Sequence, residues 1–401
     1  MTGPRILAIA YACMPDVGSE PGTGWAWARL AAGLGETWVL TRPWPDRRSD
    51  LLEALRAAPE RDTLHIVEVE MPGPWRRKRW DPFRGAQRME YLVWQLTALR
   101  TARRIAKRED IDLVWHLTFA NVWMGSIGGL IGPRFVLGPV GGGVGPVWRF
   151  MPAFGLRGML YEALRSLVRT VGRYLNPLAR SAWGSAALIL AQNPETIRWL
   201  PSSARPRTAL FHNVALTDPH QPPRSPRPAG RPPTALFAGR LIPLKGVALA
   251  MSAMASLPDW RLILIGDGPD RGRLRDIATK AGVAPRVEFA GWVDRPEVLR
   301  RMREDADVML FPSLHEEGGW VVGEALACGL PVVCLDRGGP PIVGGTGVAI
   351  GSMESTASNL VAALSVALAS AAPVPQAPYL EDRREAVARL LRERGLLDRA
   401  G

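Results

Sequence analysis

The chain has 401 residues, 47% hydrophobic and 22% charged, which suits a globular protein large enough for two domains with full cores. Three cysteines, Cys13, Cys328 and Cys334, are too few and too scattered for a disulfide framework or a zinc site. They fit a reducing cytosol, and no apolar run reaches the roughly 18–20 residues of a membrane-spanning helix.

The formal net charge of +12 points to an anionic partner: nucleic acid, lipid or a phosphorylated substrate. The excess is local. Between Met71 and Arg108 eleven Lys/Arg face two acids, Asp81 and Glu90. Within this stretch Trp75, Trp80 and Phe83 alternate with cations.

In chain order, Ile6–Ala12 reads as a first buried strand rather than a signal sequence. GSEPGTGWAWARLA follows it and opens a helix; Gly22 and Gly24 are candidates for backbone amides meeting a phosphate or an acceptor. TWVLT, HIVEVE, LVWHLT, RFVLGPV and AALILAQN are further strands, apolar on both faces as parallel strands covered by helices must be. His116 ends LVWHLT at an expected cleft edge; a lone histidine is ordinarily a satisfied polar residue, and the alternative there is a donor to a sugar hydroxyl. GPVGGGVGP is a second glycine-rich loop.

Residues 218–233 contain seven prolines, which forbids helix or strand and predicts an extended linker. The expected organisation is a domain over 1–217, the linker at 218–233, a second domain over 234–373 and a helical tail over 374–401 that packs back on the first domain. A second strand series follows the linker: TALFAGR, RLILIG, RVEFAG, VMLFP, PVVCLD and GVAIG. Helix patterns such as VALAMSAMASL and RPEVLRRMREDA alternate with it, so both halves read as doubly wound α/β sheets.

The second half carries the sharpest cluster. TALFAGRLIPLKG sets Gly239, Arg240, Lys245 and Gly246 just after a strand. A guanidinium fork and a mobile ammonium at the mouth of a parallel sheet suit a diphosphate. Cations are disfavoured at a helix start, so an anionic guest explains them. In SLHEEGGWVVGEALACGLPVV, Glu316 falls in a loop and Glu324 inside the following helix. Gly318 and Gly319 leave amides open at that helix start, and a carboxylate at 324 can accept from a ribose diol. Gly266 and Gly268 end one strand; Gly291 and Val293 follow another. Glycines there let a planar base approach the backbone. GDGPDRG lacks the third glycine of a dinucleotide fingerprint. His65, His212, His220 and His315 have no metal-ligand spacing.

Read together, these segments resemble glycosyltransferase family 4, a retaining family with the GT-B fold of two Rossmann-like doubly wound domains facing across a cleft. The resemblance runs from GRLIPLKG through IGDGP, FAGWV and HEEGGWVVGEALACGLPVV to DRGGPPIV, and more loosely through GSEPGTGW, the His116 strand, GPVGGG and LILAQNPET. It implies that Arg240 and Lys245 hold the diphosphate of a nucleotide sugar and that Glu324 binds its ribose. Glu316 and the amides near Gly318 and Gly319 would face the donor sugar, with His116 touching that sugar from the first domain. The implied catalytic set is Glu316, His116, Arg240 and Lys245, with no metal or other cofactor. The small-aromatic-small step usual after the first Glu is replaced here by Glu317, Gly318, Gly319 and Trp320.

The expected activity is transfer of a hexosyl-type sugar to a glycan or lipid-linked acceptor in surface-polysaccharide assembly. Aromatics among cations over residues 74–88 suit an anionic membrane surface, so the expected location is cytoplasmic, peripheral on the inner face. No nucleic-acid module is present. A nucleotide-sugar epimerase and an inactive GT-B partner subunit are the competing expectations.

Overall fold

A computed structural model describes residues 3–18, 20–73, 87–217, 222, 224, 227–370 and 373–397. The aromatic and basic segment at 74–86, and His220, lie outside the described residues. The chain divides into two compact units. One comprises Met1–Gly143, Val168–Thr217 and Tyr379–Gly401; the other comprises Val144–Leu167 and Asp218–Pro378.

In the first unit the elements are β1 (Ile6–Ala10), α1 (Glu20–Ala32), β2 (Thr37–Thr41), α2 (Arg48–Ala57), β3 (Leu64–Glu68), α3 (Gln87–Arg108), β4 (Leu113–Thr118) and β5 (Arg134–Val140). Helix α4 (Gly155–Leu175) begins in the second unit and ends in the first. Then come α5 (Pro177–Ser185), β6 (Leu188–Ala191), α6 (Pro194–Trp199) and β7 (Thr208–Leu210). The sheet order is β3-β2-β1-β4-β5-β6-β7, every neighbour parallel. Strands β1, β2 and β4 are buried along their whole length, which is why they read as unbroken apolar runs. Tyr11, just past β1, packs its ring 5.4 Å from Tyr91 and 5.3 Å from both Trp94 and Phe119, fixing α3 and the β4 end against β1.

The second unit holds β8 (Thr234–Ala238), α7 (Val247–Ala255), β9 (Arg261–Ile265), α8 (Arg271–Lys280), β10 (Val287–Gly291), α9 (Arg295–Glu304) and β11 (Val308–Phe311). These are followed by α10 (Trp320–Ala327), β12 (Val332–Leu335), α11 (Pro340–Val343), β13 (Thr346–Val348) and α12 (Met353–Ala369). Its sheet, β10-β9-β8-β11-β12-β13, is again wholly parallel. Both sheets reverse direction beside their first strand. Each therefore has a switch point, β1/β4 in one and β8/β11 in the other, where loops splay apart and ligands sit.

Two placements differ from the sequence expectation. Segment 144–167 packs with the second unit. The linker's arginines are tied to that unit too: Arg231 lies 2.8 Å and Arg224 3.5 Å from Asp307, a buried carboxylate that also accepts from Thr234 N–H at 2.9 Å. Buried Asp307 must be paired, and the chain before β8 supplies the partners. Helix α13 (Leu380–Glu393) lies within the first unit. Leu380 N–H donates to Leu216 O at 2.9 Å, the Arg383 guanidinium lies 3.8 Å from the Phe211 ring centre, and Arg384 pairs with Glu60. A side chain at Gly33 would collide with Arg384, so that glycine gives the arginine its path.

Candidate active site

At the β8/β11 switch point two loops are sewn together by backbone. Gly239 has φ +155 and lets the chain turn off β8. Pro243–Lys245 form a single 3₁₀ turn closed by Gly246 at φ +66. A Cβ at Gly246 would overlap the carbonyl oxygen of Pro312, so only glycine lets the β8 loop lie this close to the β11 loop. Leu314 N–H then donates to Leu244 O at 2.9 Å. This apposition brings Lys245 and Glu316 into a direct ion pair, with Lys245 Nζ also 5.4 Å from the Phe311 ring centre. Both side chains keep partial access to solvent. Arg240 is exposed on the same loop.

Glu316 is held from behind by the β12–α11 loop. Gly339 N–H donates to Glu316 O at 3.1 Å, and Cβ atoms at Gly338 or Gly339 would strike the carbonyls of Glu316 and Gly318. Gly318 and Gly319 are buried, Gly319 capping α10 at φ +134. Glu317 turns away from its neighbour, and its Oε1 accepts from Val144 N–H at 3.1 Å. Beside it, Arg165 grips buried Glu162 at 2.6 and 2.9 Å and reaches His315 Nε2 at 2.8 Å. These contacts seat segment 144–167 against the Glu316 loop. The sequence reading missed Arg165 and Glu162, because their meaning depends on a packing partner 150 residues away.

Glu324 is buried on α10, and its Oε1 accepts from Arg295 Nε at 2.7 Å. Arg295, at the start of α9, is a further residue the sequence reading missed. It lies two positions past Val293, which is half-buried in the β10–α9 turn. Thus Lys245 and Glu316 are brought into contact, while Glu324 is gripped by Arg295.

The glycines after β9 pack against the β8 loop. A Cβ at Gly266 would strike the Gly239 carbonyl, and one at Gly268 the Leu241 carbonyl. Leu241 N–H donates to Asp267 O at 3.0 Å. On the side a Cβ would occupy, these glycines are met by the β8 loop itself.

In the first unit, Gly22 and Gly24 lie inside the first turns of α1 rather than in a loop before it. Cβ atoms there would overlap the carbonyls of Val17 and Ala12. Their small size lets the helix start press against the loop after β1. His116 is fully buried instead of standing at an open edge. Its Nε2 lies 2.8 Å from Phe119 O, which requires Nε2–H to donate. Burial pushes its pKa down to about 4, against the raising effect of that hydrogen bond, so the ring is neutral at pH 7. Glu20, the first residue of α1, accepts from Ala120 N–H at 3.2 Å. Burial pushes its carboxyl up to about 7, opposed by the Ala120 hydrogen bond. The sequence reading passed over Glu20; a lone acid in GSEPG carries no mark of the aromatic wall, Tyr11, Tyr91 and Phe119, that surrounds the bend it holds.

Among the described residues no group of three His, Cys, Asp or Glu could hold a metal ion. No described helix is long and apolar enough to cross a membrane.

Residues 222–369 match the family model for glycosyl transferases group 1. Every residue of the β8/β11 site named above, apart from segment 144–167, falls within this span. The chain is 40% identical over 108 residues to the lipopolysaccharide core biosynthesis glycosyltransferase LpsE of Rhizobium meliloti, a match covering 27% of this chain and 31% of that one. It is 31% identical over 263 residues to the 2-deoxystreptamine glucosyltransferase of Streptomyces kanamyceticus, covering 62% of this chain and 65% of that one. The chain therefore spans between about a third and about two thirds of the length of these relatives. The fold is similar to that of Anabaena HepE, crystallised in complex with UDP and glucose. The TM-score is 0.56 at 17% identity, over 96% of this chain and 99% of that one. The architecture is α/β, two Rossmann-like parallel sheets of the GT-B kind.

Proposed function

We propose that this chain is a retaining glycosyltransferase that moves a hexosyl-type sugar from a nucleoside diphosphate sugar to an acceptor hydroxyl. The observation that carries this reading is the Lys245–Glu316 pair at the β8/β11 switch point, with Arg240 on the same loop, inside the span that matches glycosyl transferases group 1. The UDP and glucose in the HepE crystal support a nucleotide-sugar donor. The names of the LpsE and 2-deoxystreptamine relatives support a saccharide or polyol acceptor.

On this reading Glu316 holds Lys245 ready until the donor arrives. An arriving diphosphate competes for the ammonium, and Arg240 adds a second cation. The bond between the anomeric carbon and the β-phosphate oxygen breaks while the acceptor oxygen bonds to the same face. The acceptor proton passes to the departing phosphate oxygen. Arg240 and Lys245 stabilise the charge that grows there, a fixed electrostatic contribution. Glu324 takes the ribose hydroxyls after exchanging part of its contact with Arg295. Gly318 and Gly319 amides and Glu316 face the donor sugar.

The acceptor on this reading is lipid-linked, an intermediate of a surface polysaccharide, met at the cytoplasmic face of a membrane through the basic residues 74–88. Two experiments test the proposal. A thermal-shift series with UDP, GDP and ADP should raise the melting temperature with one base preferred. A transfer assay with that donor and lipid-linked acceptors should give product with the anomeric configuration of the donor. Inverted product, or free sugar released without acceptor, contradicts the reading.

A further inference from the structure

Helix α4 is built the wrong way round for a surface helix, whose polar face ordinarily meets water. Leu156, Leu160, Leu164, Leu167, Val171 and Leu175 are all exposed. Their spacing of four, four, three, four and four places them on one stripe of the helix. The described charged side chains of the helix point the other way, into the protein. Glu162 is buried under Arg165, Arg169 donates to Gly143 O at 3.1 Å, and the Arg173 guanidinium lies 5.4 Å from the Trp199 ring centre.

A continuous apolar stripe of this length on the outside of a protein marks a surface that meets something apolar. Charge says what. Of the six arginines between residues 144 and 185, Arg165, Arg169 and Arg173 are turned into the protein. Arg149 and Arg180, flanking the helix on either side, are exposed. Two copies meeting stripe to stripe would bring these exposed arginines together, so charge opposes self-association. An anionic bilayer satisfies both features at once. Exposed Trp148 and Tyr174 near the two helix ends are the side chains that settle at a headgroup boundary. The 21-residue helix is not apolar enough to cross a membrane. Its pattern is that of a helix lying in the plane of the interface, leucines down, with the exposed Arg149 and Arg180 beyond its two ends at the headgroups.

We infer that α4 seats this protein on an anionic lipid surface, its leucine stripe entering the headgroup layer and the flanking Arg149 and Arg180 meeting the lipid phosphates. This deepens the proposed lipid-linked acceptor and rests on that reading only for its purpose. It is read by lipid binding rather than by sugar transfer, so the two can fail separately.

The test is co-sedimentation of the full chain with phosphatidylglycerol-rich vesicles and with pure phosphatidylcholine vesicles, at low and high salt. The variants are Leu160→Glu/Leu164→Glu/Leu167→Glu and, independently, Arg149→Glu/Arg180→Glu. All five residues are exposed, and circular dichroism melts check that each variant is folded. The wild type is expected to bind anionic vesicles only, less at high salt. The leucine variant should lose about ten-fold or more of that binding, and the arginine variant should lose most of the salt-sensitive part. Wild-type binding that survives both sets of substitutions overturns the inference and leaves another surface, such as residues 76–79, responsible. So does a wild type that ignores anionic vesicles. So does light scattering that shows a dimer which the leucine variant splits, since a second copy would then occupy the stripe.

Discussion

Replacing Glu20 with Gln should stabilise the first unit at alkaline pH and do little at acid pH. The folded carboxyl has a pKa of about 7 against an ordinary value of 4.5. A folded pKa raised above the unfolded one means that the native state holds the extra proton between those values. Stability from this group is therefore highest below about 4.5 and falls as pH rises through 7. Between pH 5 and pH 8 the penalty grows by about 2.5 kcal/mol at the full shift, and by about 2 kcal/mol once partial exposure is allowed for. Gln keeps an oxygen for Ala120 N–H and carries no charge to desolvate. The assay is urea unfolding followed by tryptophan fluorescence, since 11 of the 15 tryptophans lie in the first unit. The quantity to compare is the stability difference between variant and wild type at the two pH values. A difference that does not change with pH refutes the reasoning.

His116 should act with the opposite sign. Its pKa is lowered to about 4, so the unfolded chain takes up the proton first, and stability is lost as pH falls from 6.5 toward 4. His116→Gln should remove up to about 3 kcal/mol of that acid slope in the same fluorescence assay. Gly246→Ala should destabilise the second unit by about 2–4 kcal/mol, because a left-handed φ and overlap with Pro312 act together; hydrogen exchange of β8 and β11 reads it. Lys245→Met should lower the transfer rate by about 10²–10³-fold with the fold intact, the usual loss for one donor aimed at developing charge. Arg295→Ala should change stability by less than about 1 kcal/mol, as its guanidinium is partly exposed, whereas Glu324→Gln should weaken nucleotide binding about ten-fold by calorimetry.

Much of the architecture was legible because parallel strands buried on both faces must be apolar throughout. Ile6–Ala10, Thr37–Thr41 and Leu262–Ile265 could hardly be anything else. Strand β7 escaped because Thr208–Leu210 is too short for a pattern and sits among arginines. The leucines of α4 were present in the sequence, but a helix with its apolar side outward is visible only when the burial of Glu162 and the exposure of Leu164 are compared. The glycines share one structural reason. Gly22, Gly24, Gly266 and Gly268 all make room for the protein's own backbone, and a sequence does not say whether the close neighbour is a ligand or a carbonyl. The burial of Glu324 could be argued from its apolar neighbours. Its grip by Arg295 could not, because the pairing joins two helices that only the folded sheet brings side by side. The Lys245–Glu316 pair is likewise a product of topology, since the parallel order sets β8 beside β11.

A crystal of the protein grown with UDP shows whether the β8 and β11 loops hold a nucleoside diphosphate. The expected result is a diphosphate within hydrogen-bonding distance of Arg240 and Lys245, with Lys245 drawn away from Glu316 and the ribose hydroxyls on Glu324. A diphosphate bound elsewhere, with the Lys245–Glu316 pair still closed, contradicts it.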